Sequence, residues 1–205
     1  MATGGEIWRI LQELDRLVFT TREIAALTGT GLSAASQGLK RLEAAGVLRR
    51  AMQGVWALAG DRRFSAFALV PYLNPNGQAY VSFLSAMHIH GMLSQIPKTI
   101  TVASTAHARL VVTPVATFQI HQIGPEFFDG FEWSANGRFL IATPEKALVD
   151  SLYIASRRGR RYSSFPEIEL PRGFSKLRAR SWLGRIRSEK LRASVAEKLG
   201  RILGA

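Results

Sequence analysis

Ser33, Ala34, Ser36, Gln37, Lys40 and Arg41 recur at the spacing of one helix face, hydroxyl and amide groups first and two cations after them, with no carboxylate before Glu43. Side chains three and four positions apart are neighbours on a helix surface, so this set forms one strip. Its chemistry is hydrogen bonding and charge. Glutamine pairs bidentately with adenine, and lysine or arginine with guanine or phosphate, when such a helix lies in the major groove of duplex DNA. Arg49, Arg50 and Gln53 follow closely enough to reach flanking phosphates, and Thr21 precedes the strip at the start of another helix. Solvation alone also gives a surface helix a polar face; the lack of acids sets this one apart.

Other groups invite a catalytic or metal reading and do not sustain it. His88 and His90 are two residues apart, and on a helix such positions diverge by about 160°, too far to share a metal. His107 and His121 are isolated. Glu145, Lys146 and Asp150 resemble a catalytic cluster, but Glu145 has a sufficient role facing the positive end of a helix dipole, and the adjacent Glu-Lys pair lacks the spacing of a metal-dependent nuclease strand. No serine-nucleophile motif, phosphate-cradling glycine loop or metal-spaced carboxylate pair occurs. With no cysteine, thiolate sites and disulfides are excluded. The expectation is a binding protein, not an enzyme, with no metal and no cofactor.

The strip needs elements to hold it. Thr20 and Thr21 suit an N-cap and Glu23 completes a capping box, which predicts a short helix with Ile24, Ala25 and Leu27 on its apolar side. Gly29-Thr30-Gly31 supplies the turn. A second helix is predicted from Ser33 to Ala45, with Leu32, Ala35, Leu39, Leu42 and Ala45 packed against the first. After Gly46, LRRAMQGVWAL reads as two strands about Gln53-Gly54. Ahead of these, Ile7, Ile10, Leu11, Leu14 and Leu17 predict a helix over Glu6–Leu17, with Trp8 off that face. Residues 1–60 thus read as a winged helix-turn-helix.

Residues 61–205 are expected to form a second, mixed α/β domain. FSAFALVPYL is strand-like, a turn is predicted at Asn74-Pro75-Asn76-Gly77, and Tyr80–Gln95 reads as a helix with Phe83, Leu84, Met87 and Met92 in the core. TITVAS, RLVVT, TFQIHQI and RFLIAT predict a small, mainly antiparallel sheet. Thr143-Pro144-Glu145 opens a further helix. Ser175 to Leu203 is helical again, in two pieces around Gly184 or Ser188. The fold class is α+β, ending in a basic helical region.

The net charge of +12 is uneven: +2 over residues 1–60, zero over 61–154 and +10 over 155–205. The run RRGRRYSSF, with Arg157, Arg158, Arg160 and Arg161, reads as an exposed loop that is either merely solvated or attracts phosphates or an acidic partner. No apolar run reaches the roughly 18 residues of a membrane span, and the N-terminus lacks the layout of a signal peptide. A cytoplasmic protein without a membrane partner is expected.

Several stretches carry a likeness. YVSFLSAMHIHGMLSQIP, with Tyr80, Ser82, Ser85-Ala86, His90-Gly91, Gln95 and Pro97, then TITVAS, then FLIATPEKALVDSLY, with Pro144-Glu145-Lys146-Ala147 and Asp150, follow the helix-turn-helix segment. Together they resemble the AbiEi-type antitoxins of type IV toxin–antitoxin pairs over most of residues 20–155; the basic tail matches less distinctly. The resemblance implies a repressor of its own operon that binds an inverted-repeat operator. It also implies a second domain that counters a nucleotidyltransferase-like toxin without a stable complex. Two further functions are open: a ligand-responsive winged-helix repressor with no toxin partner, and a nucleic-acid enzyme using the basic tail.

Overall fold

The computed structural model describes residues 4–74, 77–157 and 167–204. Its contacts divide into two compact units, Met1–Tyr72 with Thr113–Ala116, and Leu73–Val112 with Thr117–Ala205. The first contains helix α1 (Gly4–Leu14), strand β1 (Val18–Thr20), helices α2 (Thr21–Leu27) and α3 (Leu32–Ala44), and strands β2 (Leu48–Met52) and β3 (Val55–Leu58). Thr20 Oγ1 accepts from the Glu23 amide at 3.1 Å while the Glu23 carboxylate accepts from the Thr20 amide at 2.6 Å. This reciprocal cap starts α2 as its sequence predicts. Gly29, in the left-handed region at φ 61°, lets the chain reverse before α3.

Strand β1 departs from expectation. The first helix stops at Leu14 instead of Leu17, Asp15 takes a left-handed turn, and Val18-Phe19-Thr20 pairs antiparallel with β3, Phe19 opposite Trp56. A buried β-branched and aromatic pair fits a strand better than a helix end once a partner edge is present. The sheet order is β1-β3-β2, and a bulge between Arg50 and Met52 bends the hairpin. Ile7 and Leu11 of α1, Phe19, Ile24, Ala35, Leu39, Leu42, Leu48 and Trp56 form one core, with Trp8 packed at its margin. Each such fully buried large side chain stabilises the unit by about 1.5–3 kcal/mol.

This unit continues past Gly60. Arg63 bridges Asp15 and Asp61, each at 2.9 Å, and the Tyr72 hydroxyl donates to the Val18 carbonyl at 3.1 Å while accepting from Arg16 at 3.1 Å. The strand expected over FSAFALVPYL is instead a 3₁₀ helix, Ala66–Tyr72. Pro71 has no amide proton to give a strand ladder, and the Ser65 carbonyl accepts from Ala68 to begin the tight turns.

In the second unit the strands are β4 (Ala79–Val81), β5 (Ile100–Ser104), β6 (Arg109–Val112), β7 (Thr117–Gln122), β8 (Phe131–Trp133) and β9 (Leu140–Ala142). The helices are α4 (Phe83–Ile89), α5 (Pro144–Arg157), α6 (Lys176–Ser181) and α7 (Glu189–Leu203), with 3₁₀ turns at Pro125–Phe127 and Trp182–Arg185. The sheet is larger and more mixed than the sequence suggests: its order is β6-β7-β5-β4-β9-β8, with β5/β7 and β4/β9 parallel. The helix expected over Tyr80–Gln95 is shorter at both ends. Ala79-Tyr80-Val81 is a fully buried central strand, bonded on both sides, and the chain enters α4 through Phe83 at φ 57°. Gly91, also left-handed, ends α4, with Met92 donating back to the Met87 carbonyl at 2.8 Å. The last helices divide where expected, with Ser175 and Ser188 as N-caps.

Candidate nucleic-acid interface

Helix α3 turns Ala35, Gly38, Leu39 and Leu42 inward. On the other side Ser33, Gln37, Lys40 and Arg41 are exposed, with Ala34 and Ser36 half-buried at the flanks. The nearest acid, Glu43, accepts from the Arg50 amide at 3.2 Å, which directs it to the β2–β3 hairpin. Arg50 and Gln53 are exposed on that hairpin.

Two residues of the expected site are used internally. The Thr21 hydroxyl accepts from the Trp56 indole at 2.9 Å and lies 3.4 Å from the Gly54 carbonyl, and the Thr21 amide donates to that carbonyl at 2.9 Å. These bonds fasten the start of α2 to the hairpin tip. Arg49 lays its guanidinium over the Phe64 ring, 4.1 Å from the centroid, and its Nε is buried without a partner. Strand alternation sends Arg49 and Arg50 to opposite faces; which of the two turns inward depends on the packing against Phe64. Of the four arginines of the basic loop, Arg157 ends α5 and donates to the Gln122 carbonyl at 3.3 Å, while Arg158, Arg160 and Arg161 lie outside the described residues.

The second unit holds a closed polar cluster. Asp150 accepts from the Tyr80 hydroxyl at 3.0 Å, from the Ser82 hydroxyl at 2.6 Å and from Lys146. Lys146 Nζ also donates to Tyr80 at 3.0 Å and sits 4.0 Å from the Phe127 ring centroid and 5.0 Å from that of Trp182. All four polar groups are buried. Burial pushes the Lys146 amine down from its ordinary value, against the pull of Asp150, and pushes the Tyr80 phenol well up. Sequence spacing offered a signal in the i, i+4 pair of Lys146 and Asp150; Tyr80 and Ser82 join it only through the pairing of β4 with β9.

Around this cluster, Glu145 accepts from the Ser175 amide at 2.8 Å, and Asp129 pairs with Arg185 at 2.8 Å. The Gly130 amide, followed by Arg185, holds the Asp129 carboxyl below the usual aspartate range, although burial pulls the other way. Gly130 is left-handed, and a Cβ there would come within 2.3 Å of the Trp182 ring. The two histidines of α4's end bond separately, His88 with the nearby Leu93 carbonyl at 3.1 Å and His90 with the distant Ala142 carbonyl at 2.7 Å.

Among the described residues, no helix is long and apolar enough to cross a membrane. No curated protein matches the chain. A family model described as Firmicute plasmid replication protein (RepL) matches residues 7–66, a span that runs from within α1 through the β2–β3 hairpin to the start of the 3₁₀ helix that follows.

Proposed function

We propose that the first unit is a winged helix-turn-helix that places α3 in the major groove of duplex DNA, with the β2–β3 hairpin as the wing beside flanking phosphates. The observation that carries this reading is the exposed face of α3, where Ser33, Gln37, Lys40 and Arg41 stand without an acid among them. Three helices followed by an antiparallel hairpin suit that docking geometry. The RepL match supports it, since its family name describes plasmid replication proteins and its span includes α3 and the hairpin. Thr21 and Arg49 act by holding this framework together. Gel shifts with the promoter of its own gene test the reading: Gln37→Ala weakens binding and relaxes sequence preference, and Lys40→Ala weakens it on all sequences. Unchanged shifts in both variants would remove α3 as the reader.

The finer reading is a cytoplasmic autorepressor that is the antitoxin of a type IV pair, acting on an inverted-repeat operator and countering a nucleotidyltransferase-like toxin without a stable complex. Its support lies in the second unit. Tyr80, Ser82, Lys146 and Asp150, which carry the AbiEi resemblance, are joined in one bonded cluster, so the likeness rests on the packing of that unit. The cluster serves structure and not catalysis in this reading, because its polar groups are closed on one another. Co-expression with a nucleotidyltransferase-like product, should a neighbouring reading frame encode one, tests the antitoxin role. Growth that is not restored while the promoter stays repressed would sink it.

A second reading, a repressor released by a small ligand, is favoured by one feature. Leu84, Leu93, Gln95, Ile96, Pro97 and Lys98 line an open, mostly apolar groove of about 470 Å³. Release of promoter DNA by a metabolite, with no toxin gene alongside, would favour it.

A further inference from the structure

The spacing of apolar residues assigns Leu32 to the core, yet it stands 55% exposed as the first residue of α3. The helix begins one position earlier than predicted, with Gly31 as its N-cap. Among the described residues of the first unit, the large apolar side chains that are exposed are Leu27 and Leu32, which flank the turn between α2 and α3. Single exposed leucines scattered over a surface need no explanation. Two at the same turn, beside an acid-free polar face, are not scattered.

Leu32 heads a row at four-residue spacing that continues through Ser36 to Lys40, next to the row of Ser33, Gln37 and Arg41. The row runs apolar, hydroxyl, cation. That order is complementary to an anionic groove whose wall also carries an apolar group. In the major groove, thymine presents such a group, its C5 methyl, and the other bases present donors and acceptors in its stead.

The geometry points to Leu32 as a specificity-determining residue that packs on the C5 methyl of a thymine. This rests on the DNA-binding reading above and adds one named base to it. Gln37 lies five residues further on, about 7.5 Å along the helix axis at ~1.5 Å per residue. The thymine is therefore expected within the same major-groove footprint as the base pair that Gln37 contacts.

The test uses the full chain and duplexes taken from the promoter or selected from a random pool. Each thymine in the footprint is replaced in turn by deoxyuridine, which removes the methyl and keeps the base-pairing edge. At one thymine, binding by the unsubstituted protein falls about fourfold, the factor expected for one buried methyl group. Leu32→Ala loses the same factor on the thymine duplex, no longer distinguishes it from deoxyuridine, and melts at the same temperature because the side chain is exposed. Equal binding to every deoxyuridine duplex, with Gln37→Ala still weakened, overturns the assignment of Leu32 and leaves α3 as the reader. A Leu32→Ala protein that still distinguishes the two duplexes also overturns it. Failure to bind any duplex removes both readings together.

Discussion

Asp150 accepts from Tyr80, Ser82 and Lys146 in a buried cluster, and losing it would strand Lys146 among aromatic rings. Breaking a buried pair by removing one partner costs about 3–5 kcal/mol, because the remaining charge is uncompensated, whereas replacing both partners with apolar groups of similar volume is often tolerated. Asp150→Ala is therefore expected to lower the unfolding free energy by that order, read from the shift of the urea midpoint, and Lys146→Met with Asp150→Leu to recover much of it; a double variant as unstable as the single would contradict this. Asp129 gives the pH dependence at this scale. Its carboxyl titrates below the ordinary aspartate value in the fold, mainly through the Gly130 amide and then Arg185. A depressed acid stabilises the fold above its unfolded value, and that contribution disappears as pH falls through the folded value. Stability should thus drop below about pH 4, and Asp129→Asn should flatten that limb of the thermal-melt profile by lowering stability at neutral pH, where the contribution is present, while leaving the acid end little changed.

Helix α2 tests how far local chemistry determines an element. Its reciprocal cap between Thr20 and Glu23 predicts that Thr20→Ala costs about 1 kcal/mol, measurable by chemical denaturation, with Glu23→Ala smaller. Elements with signals of this kind were legible in the sequence: α2, α3, the β2–β3 hairpin, and α5 behind Thr143-Pro144. Elements that depend on a distant partner were not. β1 requires β3, β4 requires both β5 and β9, and the buried AYV triplet before α4 is indistinguishable from a helix's first turn until those neighbours are in place. The candidate site divides the same way. The exposed positions of α3 follow from helical period, but Arg49 turning under Phe64, Thr21 bonding Trp56 and Leu32 standing outside the core depend on tertiary packing and a one-residue shift of the helix start.

Across the whole molecule, charge and contacts are arranged differently. The +10 of residues 155–205 lies outside the α3 segment, whose residues 1–60 carry only +2. Affinity for a duplex should fall linearly in log–log form with salt, because phosphate contacts release counterions. Lys40→Ala should make that slope shallower by about 0.9, and Gln37→Ala should lower affinity without altering it; equal slopes for all three proteins would argue that Lys40 meets no phosphate. The six-stranded sheet carries a different liability. Among the described residues, its end strands, β6 and β8, have no further strand beside them, and Leu110, Val112 and Trp133 on those strands are exposed. Unsaturated backbone donors and acceptors flanked by apolar side chains invite a neighbouring chain to add itself. In concentrated preparations, then, loss of clear solution should precede loss of fold, and a lysine in place of Val112 should extend shelf life while leaving the melting temperature where it was.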